Sequence, residues 1–358
     1  MTISPIIRVK SPGRICLFGE HQDYLGLPVI ATAINRHINF EGQLTTDNFI
    51  FFNMPDINET RKVDLADRFE VLQSRDYIAS IIRVLRREGV DFHTGCKIEF
   101  SGNIPYKAGA SSSSAMIVGL IKMFVKLYNF PKDLQPEEIA LLAYQAEVVE
   151  HGEPGGMMDH YSVSLGHVVH IDTKTYAFEI LRDSLDGLVL SNSMVPKEIL
   201  EVHGRIRPSI ERAISVLKKL DQNFSLADLT SEDLPNYYDA LPPALIPIFY
   251  ATVTNHEFTR QALAHMKQDN IDMVEIGNLM NQHHERLRDY LQITVPKINL
   301  MVNTALEVGA LGAKINGSGG GGTIAILAPG KEQEVIAALD QIGATSYAVI
   351  SDPGARYV

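Results

Sequence analysis

The sequence has very few cysteines for its length. Only Cys16 and Cys96 occur among 358 residues, which is too few for a disulfide framework and without the spacing of a metal site. Disulfide-rich secreted scaffolds and cysteine-ligated metal proteins are therefore disfavoured. A reducing, cytoplasmic location is expected.

Positive charge is also in deficit. The 32 Lys and Arg residues stand against 43 Asp and Glu residues, which gives a net charge of −11 at pH 7. A surface of this sign repels a phosphate backbone, so nucleic-acid binding is disfavoured. A small polar substrate fits this composition better.

Long apolar runs are absent. No stretch reaches the roughly 18 to 20 apolar residues that a membrane helix needs, and the N-terminal MTISPIIRVKSPGR has no apolar core of the signal-peptide kind. We therefore expect no membrane partner, and a monomer or homodimer. The 45% hydrophobic content still allows a substantial core, and 358 residues suit two domains.

Helix-like and strand-like segments alternate along the chain. Short β-like runs fill residues 6–52, and later ones occupy 96–100, 167–172, 187–193, 322–328 and 346–352. Helical spacing occurs at 77–88, 115–127, 136–150, 209–220, 271–291 and 296–308. This pattern predicts an α+β fold of mixed α/β layers, with domains at 1–192 and 193–358.

The segment GNIPYKAGASSSSAMIVGLIKMFVKL, residues 102–127, places four serines at the start of an apolar helix. A helix N-terminus has free backbone N–H groups and partial positive charge, which favour a bound anion. Gly109 and Ala110 permit close backbone approach, and hydroxyls can cap the helix, contact phosphate or ligate magnesium. The serines are Ser111, Ser112, Ser113 and Ser114. The segment favours a phosphate-binding loop that is not a Walker A loop, and a plain polar N-cap is the alternative.

A second glycine cluster, GAKINGSGGGGTIAIL, spans residues 312–327. Gly317, Gly319 and Gly322 formally match the G-x-G-x-x-G dinucleotide motif, and Asp340 lies near the expected acidic position. The glycines run into a strand-like segment instead of opening a helix, which argues against a dehydrogenase. A loop packed on a nucleotide is favoured, and a structural turn is the alternative.

Three segments in order resemble the motifs of the GHMP kinase superfamily: SPGRICLFGEHQDYLG (11–26), NIPYKAGASSSSA (103–115) and GAKINGSGGGGT (312–323). Within it, GEHQDYLG is most similar to the first galactokinase motif. Residues 146–166 and 277–296 also resemble galactokinase passages. The resemblance implies an N-terminal domain with a left-handed β-α-β unit, a ferredoxin-like C-terminal domain and an active site between them.

The resemblance also implies a reaction, the transfer of the γ-phosphate of ATP to a monosaccharide hydroxyl, with the anomeric 1-OH expected. Asp159 matches the proposed catalytic base and Arg14 its basic neighbour. Ser113 and Glu147 match the magnesium-ligating serine and carboxylate. Without the resemblance, Asp159 is typical of a turn, Arg14 of a surface charge and Glu147 of a solvent-facing helix.

Further roles carried over from the resemblance concern the two substrates. Vicinal sugar hydroxyls would be recognised by a set of polar residues and a close-approach glycine: Glu20, His21, Asp23, Tyr24 and Gly156. ATP phosphates would lie against Gly109, Ala110 and Ser111 to Ser114, with Gly317 and Gly319 nearby. The implied cofactors are ATP and Mg²⁺.

The sequence departs from the usual galactokinase pattern at a few positions. Lys107 replaces a glycine, Ala110 a leucine and Thr323 a cysteine, and only ten residues precede Ser11. Arabinose, a uronic acid, a heptose phosphate and mevalonate therefore remain alternative acceptors, and a non-catalytic sugar and ATP sensor remains an alternative function.

One histidine pair is not expected to bind metal. His283 and His284 are adjacent on a predicted helix, so their side chains point about 100° apart and cannot converge on one ion. We expect both on the helix surface.

Overall fold

A computed structural model describes residues 4–106, 108–196 and 199–358. In these ranges the strands are β1 (Ile7–Phe18), β2 (Val29–Leu44), β3 (Phe49–Met54), β4 (Glu59–Asp64), β5 (Cys96–Gly102), β6 (Val168–Ile171), β7 (Phe178–Arg182), β8 (Leu188–Asn192), β9 (Gly312–Ile315), β10 (Thr323–Leu327), β11 (Thr345–Val349) and β12 (Arg356–Tyr357). The α-helices are α1 (Tyr77–Arg87), α2 (Ser112–Leu127), α3 (Pro136–Tyr144), α4 (Met158–Leu165), α5 (Ile199–Leu220), α6 (Pro235–Tyr238), α7 (Ile246–Met266), α8 (Met273–Asp289), α9 (Pro296–Glu307) and α10 (Glu332–Gln341). Lys107, a departure noted in the sequence, lies outside the described residues.

The first sheet is organised around the long strand β2. The strand order is β12-β1-β2-β5-β3-β4, and β6 and β7 extend from β2 at its other end. Residues 29–32 of β2 pair with β6, whereas residues 38–44 pair with β5. Because β1 runs antiparallel to β2 along most of its length, the part of β1 that belongs to the first motif segment, from Ser11 on, is held in place by strand pairing.

Helix α2 forms the centre of the first hydrophobic core. It is apolar on most sides and packs on β1 and β2, with α3 and α4 against it. Gly119 allows this contact, because a Cβ there would lie 2.2 Å from the ring of Phe40. The helix is therefore buried between layers, and its N-terminus is fixed relative to β1.

The second sheet has the order β11-β8-β10-β9, and its strand pairs are antiparallel. Helices α8 and α9 pack on β9, and α10 packs on β11 and β8. This strand order is that of a ferredoxin-like β-α-β-β-α-β unit. The α+β fold class predicted from the sequence is confirmed.

The division between domains, predicted at residues 192 and 193, stays a prediction. Strand β8 precedes that point but pairs with β10 and β11 of the second sheet. We therefore propose an earlier boundary, between Arg182 and Leu188. The chain also returns at its end, because β12 pairs with β1 of the first sheet.

Within the part of the chain that the structure describes, no helix is both long and apolar enough to cross a bilayer.

Candidate active site

A cleft of about 220 Å³ lies where the three motif segments meet. The residues that line it come from β1 and the segment after it, from the serine segment, from the regions of α1, α3 and α4, and from the loop after β9: Arg14, Glu20, His21, Asp23, Tyr24, Arg75, Tyr77, Ser113, Ser114, Glu147, Val148, Glu153, Gly155, Gly156, Met158, Asp159, His160, Gly317 and Ser318. Residues far apart in sequence therefore share one concave surface. Two larger grooves on the protein lie elsewhere and contain none of these residues.

Arg14 and Asp159 form a direct ion pair in this cleft. The Nε and Nη2 atoms of Arg14 each lie 2.7 Å from Oδ1 of Asp159. Nη1 of Arg14 donates to the carbonyl oxygen of Gly109 at 2.6 Å, and its backbone N–H donates to that of Ala110 at 3.2 Å. Gly13 permits this approach, because a Cβ there would lie 2.7 Å from the Ala110 oxygen. One arginine thus ties the first motif to the serine segment and to Asp159.

The two side chains of this ion pair differ in their exposure to solvent. The Arg14 side chain is 4% exposed, whereas that of Asp159 is 30% exposed and faces the cleft. Burial alone would raise the pKa of Asp159, but Arg14 and then His160 outweigh it and hold the pKa below its ordinary value. Asp159 is therefore ionised at neutral pH and can accept a hydrogen bond from a substrate.

The four serines occupy the first turn of α2 and the residue before it. Ser111 has left-handed backbone angles, φ 58° and ψ 41°, and α2 begins at Ser112. Ser112 and Ser113 are partly exposed, while the hydroxyl of Ser111 is buried. Ser113 lines the cleft, and its neighbour Ser114 donates to Oε2 of Glu147 at 2.8 Å. The N-terminus of a 16-residue helix is thereby aimed at the cleft.

Glu147 lies in a π-helical turn, Gln145–Val149, that continues α3. Its Oε2 accepts from Ser114 and also lies 2.8 Å from Nε2 of His160. Its Oε1 accepts no hydrogen bond from the described residues. The carboxylate is thus held by Ser114, the neighbour of Ser113, and lines the same cleft as Ser113 with one oxygen available. A hydroxyl and a carboxylate are hard oxygen donors of the kind that Mg²⁺ prefers.

Asp23 lies at the other end of the cleft, beside Gly156. A Cβ on Gly156 would lie 2.1 Å from the Asp23 carboxylate, so a larger residue there would displace that carboxylate. Burial, and next the negative charge of Asp159, raises the pKa of Asp23 to about 6. The backbone N–H of Tyr24 donates to Oδ1 of Asp23 at 2.9 Å. This carboxylate is pre-positioned but weakly stabilised in its charged form.

His21 and Tyr24 form the wall next to Asp23. Nδ1 of His21 lies 2.9 Å from the Tyr24 hydroxyl, and Nε2 lies 3.1 Å from the carbonyl oxygen of Ser318. Arg207 of α5 lies over the Tyr24 ring at 5.2 Å. The polar segment 20–24 is therefore connected to both the third motif and the second domain.

Glu20 has a partner that the sequence did not reveal. Its carboxylate pairs with the ammonium group of Lys314, and both side chains are fully buried. Lys314 stands in β9 between apolar neighbours, and a lysine in such a strand is the one sequence signal that could have indicated it.

The glycine-rich segment after β9 is a loop. Gly317 and Gly319 to Gly322 have positive φ, and the segment runs into β10. A Cβ on Gly319 would lie 2.6 Å from the carbonyl oxygen of Ile293. The carboxylate of Asp340, in α10, accepts a hydrogen bond from the backbone N–H of Ser346 and not from this loop. The dinucleotide interpretation has neither the strand-loop-helix context nor the acidic partner it needs.

Asn316, another residue not singled out from the sequence, joins all three motifs. Its Oδ1 accepts from the backbone N–H of Cys16 at 2.9 Å, and its Nδ2 donates to Gly109 at 3.0 Å and to Thr323 at 3.1 Å. The carbonyl of Gly109 thus accepts from Asn316 and from Arg14.

The expectation that His283 and His284 lie on a helix surface is wrong. They are 0% and 2% exposed, because α8 packs its middle against β9 and β1. Burial lowers the pKa of both, that of His284 to about 3. The prediction that they form no joint metal site stays a prediction, although the described residues contain no cluster of three or more metal-binding side chains.

Three family models match the chain. "GHMP kinases N terminal domain" matches residues 76–167, "GHMP kinases C terminal" matches residues 260–345, and "Galactokinase galactose-binding signature" matches residues 3–42. The three matches follow the order of the segments that form the cleft.

Known proteins of similar sequence and fold point to the same group. The chain is 29% identical to a galactokinase from Pasteurella multocida, over 96% of this chain and 90% of that protein, and 29% identical to one from Pyrococcus furiosus, over 92% and 91%. In fold it is similar to Lactococcus lactis galactokinase complexed with galactose, with a TM-score of 0.87 and 23% identity over 99% and 95% of the chains. A mevalonate kinase from Methanococcus jannaschii gives a TM-score of 0.69 at 23% identity over 97% and 98%.

Proposed function

Since the chain belongs to the GHMP kinase superfamily and is most similar within it to galactokinases, we propose that it transfers the γ-phosphate of ATP to the anomeric hydroxyl of galactose. The observation that carries this proposal is the ion pair of Arg14 and Asp159, placed in one cleft with Ser113. A phosphoryl donor and an acceptor hydroxyl can meet at such a place.

The N-terminus of α2 acts on the phosphates of ATP, whereas the ion pair of Arg14 and Asp159 acts on the transferred group and the acceptor hydroxyl. Phosphoryl transfer needs the two substrates aligned and the charge on the moving group neutralised. The N-terminus of α2, with Ser112 and Ser113, holds the phosphates of ATP. Arg14 stabilises charge on the transferred group and keeps Asp159 ionised.

Asp159 receives the proton of the acceptor hydroxyl. The sugar oxygen forms a bond to the γ-phosphorus, the bond to the bridging oxygen of ADP breaks, and the hydroxyl proton moves to the Asp159 carboxylate. Because the pKa of Asp159 is held low, it is a weak base and accepts this proton as the new oxygen–phosphorus bond forms. ADP then leaves with the electron pair of the broken bond.

Ser113 and the free oxygen of Glu147 are the residues that would hold Mg²⁺. When bound, the ion supplies positive charge beside the phosphates of ATP. Ser114 and His160 hold Oε2 of the Glu147 carboxylate in place. The binding of this ion by these two residues is part of the proposal.

The charge of the cleft favours an uncharged acceptor over the anionic alternatives. Its acceptor end carries the carboxylates of Asp23 and Asp159, whereas that of Glu20 is fully buried and paired with Lys314. The arginines that line the described cleft, Arg14 and Arg75, are paired with Asp159 and Glu153. A uronic acid, a sugar phosphate or mevalonate would therefore meet repulsion without a free cation, whereas neutral sugar hydroxyls can donate to these oxygens.

A coupled assay of ADP release tests the proposal. Purified protein with ATP and Mg²⁺ is given galactose, arabinose, glucose, galacturonate and mevalonate in parallel. We expect the highest kcat/KM with galactose and no turnover with the anionic compounds. If the protein binds ATP but none of these sugars stimulates the release of ADP, the kinase function is contradicted.

Replacement of Asp159 separates a kinase from a sensor. Asp159→Asn should retain binding of a non-hydrolysable ATP analogue and lose turnover by roughly 10²-fold or more, the size expected when acid–base catalysis is removed. Unchanged turnover would remove Asp159 from the mechanism.

A further inference from the structure

Arg75 and Glu153 form an ion pair on the wall of the cleft. Nε of Arg75 donates to Oε1 of Glu153 at 2.7 Å, and Nη2 donates to Oε2 at 3.3 Å, so the guanidinium meets the carboxylate with two nitrogens. The Tyr77 hydroxyl donates to the same Oε1 at 3.4 Å. All three residues line the cleft. The pair joins the segment before α1 to the loop before α4, across 78 positions of sequence.

Arg75 is accessible to a ligand, unlike the other arginine of the cleft. Its side chain is 42% exposed and that of Glu153 is 24% exposed, whereas the Arg14 side chain is 4% exposed. An ion pair in contact with water contributes little to stability, so a stronger anion can replace one partner at small cost. Among the described residues that line the cleft, the two arginines are the side chains with a permanent positive charge.

Arg75 also lies close to the part of the cleft assigned to the phosphates of ATP. Burial alone would lower the pKa of Arg75, but the hydrogen bond and the charge of Glu153, and after them Tyr77 and Glu147, outweigh burial and raise the pKa. The Glu147 carboxylate accepts from Ser114 in the first turn of α2. The guanidinium is therefore within electrostatic reach of a helix N-terminus that favours anions.

The backbone of Arg75 is unusual. Its φ is 59°, a left-handed conformation that is uncommon for residues other than glycine. Strain of this kind is concentrated at ligand-binding sites, and an exposed pair with Glu153 contributes too little to account for it. A guanidinium forms strong paired hydrogen bonds with phosphate, which carries more charge and more acceptor oxygens than a carboxylate. A polyphosphate is therefore a better partner for Arg75 than Glu153 is.

We propose that Arg75 exchanges partners when ATP binds: its guanidinium leaves Glu153 and forms hydrogen bonds with the polyphosphate. Glu153 thus competes with the nucleotide for one cation. This inference rests on the proposed function, because it takes ATP as the phosphoryl donor. With Arg75 engaged by the donor, the acceptor end of the described cleft still has no free cation for an anionic substrate.

Calorimetric titration with a non-hydrolysable ATP analogue and with adenosine, both in the presence of Mg²⁺, tests this exchange. Arg75→Gln should bind the ATP analogue about tenfold more weakly and adenosine with unchanged affinity, because the lost hydrogen bonds are to phosphate. Glu153→Gln should bind the analogue about two- to fivefold more tightly, since the competing ion pair is gone. A pair that only held the two segments together would weaken binding in both variants.

The double variant Arg75→Gln with Glu153→Gln separates competition from simple repulsion between Glu153 and phosphate. Under competition it should bind the analogue as weakly as Arg75→Gln alone, because no guanidinium is left to release. Arg75→Lys should retain part of the affinity, since it keeps the charge without the fork of the guanidinium. Arg8→Gln is the matched control, because Arg8 is 56% exposed and pairs with Glu41 away from the cleft. It should bind the analogue as the wild-type protein does.

Three outcomes would overturn the inference. The first is an affinity for the ATP analogue that is unchanged in Arg75→Gln, or that falls there by the same factor as the affinity for adenosine. The second is a Glu153→Gln variant that does not bind the analogue more tightly. The third is an equal gain from Glu153→Gln with and without Arg75. Failure of the wild-type protein to bind the analogue at all would instead contradict the proposed function.

Discussion

Two residues of the cleft, Asp159 and Asp23, have the same side chain but different surroundings. Asp159 lies against a guanidinium and keeps a low pKa, while the pKa of Asp23, buried and close to that negative charge, is raised to about 6. Two carboxylates in one cleft therefore titrate in different ranges. Near neutral pH Asp159 stays charged, whereas Asp23 begins to take up a proton.

The raised pKa of Asp23 predicts a pH dependence of sugar binding. Ionised Asp23 accepts hydrogen bonds from sugar hydroxyls, so galactose affinity should fall as the pH drops through about 6. For folding the sign is opposite: the protonated form favours the folded state, and this contribution is lost as the pH rises through about 6. Calorimetry across this range measures the first effect.

Asp23→Asn is the control for this prediction. It should bind galactose more weakly at neutral pH and show a flatter profile between about pH 5 and pH 7.5, because the titrating group is gone. An unaltered profile in Asp23→Asn would assign the pH effect to another group, with His21 the next to test.

Glu147 gives a second prediction at this scale. Glu147→Gln removes a charge beside Ser113, so the Mg²⁺ concentration that half-saturates binding of the ATP analogue should rise by about tenfold. Calorimetry at stepped Mg²⁺ concentrations measures it. Glu150→Gln is the matched control, because Glu150 pairs with Arg83 and Arg87 and does not line the cleft. An equal effect of both variants would show that Glu147 is not a specific metal ligand.

At the scale of elements, the site depends on where helix α2 begins and on where the winding after α3 departs from a regular α-helix. Helix α2 starts at Ser112 after a left-handed residue, and the continuation of α3 is wound as a π-helix at Gln145–Val149. A π turn changes the direction of the side chains that follow it, and such turns are frequent at functional sites. Here the turn contains Glu147, which contacts Ser114 and His160.

The loop before α4 gives a prediction at this scale. Gly156→Ala would place a Cβ 2.1 Å from the Asp23 carboxylate and force that side chain to move. We expect the KM for sugar to rise by about tenfold or more, as for a lost hydrogen bond to a charged group, with little change in the KM for ATP. Steady-state kinetics with each substrate varied in turn measures both.

Gly204→Ala is a suitable control for this variant, since Gly204 is helical and a Cβ there meets nothing within 4 Å. Its kinetics should equal those of the wild-type protein. A Gly156→Ala variant with a changed KM for ATP alone would contradict the assignment of this loop to the acceptor.

Local patterns predicted most elements but not their irregularities. The spacing of apolar residues predicted α1 nearly to its ends and α2 in its apolar part, because burial of one face sets that spacing. It predicted one helix at 136–150, where the structure changes to a π turn. The turn is stabilised by contacts with distant residues, which a local pattern does not contain.

Contacts between distant segments were accessible only in part. The pairing of Arg14 with Asp159 was predicted from the family resemblance, and Nη2 of Arg14 lies 2.7 Å from Oδ1 of Asp159. Lys314 and Glu20 are separated by 294 positions, and nothing in either segment indicates the other. The burial of His283 and His284 was not predicted, because it results from contacts of α8 with both β1 and β9, and β1 is distant in the sequence.

At the scale of the whole molecule, the last residues complete the first sheet. Asp352 is buried and accepts from Nε2 of His37 at 2.6 Å and from Arg356 at 2.6 Å. Burial would raise the pKa of Asp352, but His37 and Arg356 outweigh it and lower the pKa. The C-terminal segment is therefore held by charged hydrogen bonds as well as by β12.

Loss of this carboxylate should destabilise the protein. Asp352→Asn is expected to reduce the free energy of unfolding by roughly 1.5–3 kcal/mol, the range for hydrogen bonds to charged groups. Because the folded pKa is lowered, the stabilisation by Asp352 is present at neutral pH and is lost as the pH falls through that lowered value. Urea unfolding at neutral and acidic pH measures the effect.

The comparison for this variant is Asp91→Asn, at a side chain that is 84% exposed, which should change the free energy of unfolding by less than about 0.5 kcal/mol. Equal stability of Asp352→Asn and the wild-type protein would show that the C-terminal segment is held by β12 alone.

The pairing of β12 with β1 has a consequence for synthesis. A chain that emerges from the ribosome presents β1 early, but β12, which covers its outer edge, is translated much later. Until β12 has left the ribosome, that edge of the nascent protein stays open to chaperones or to neighbouring chains.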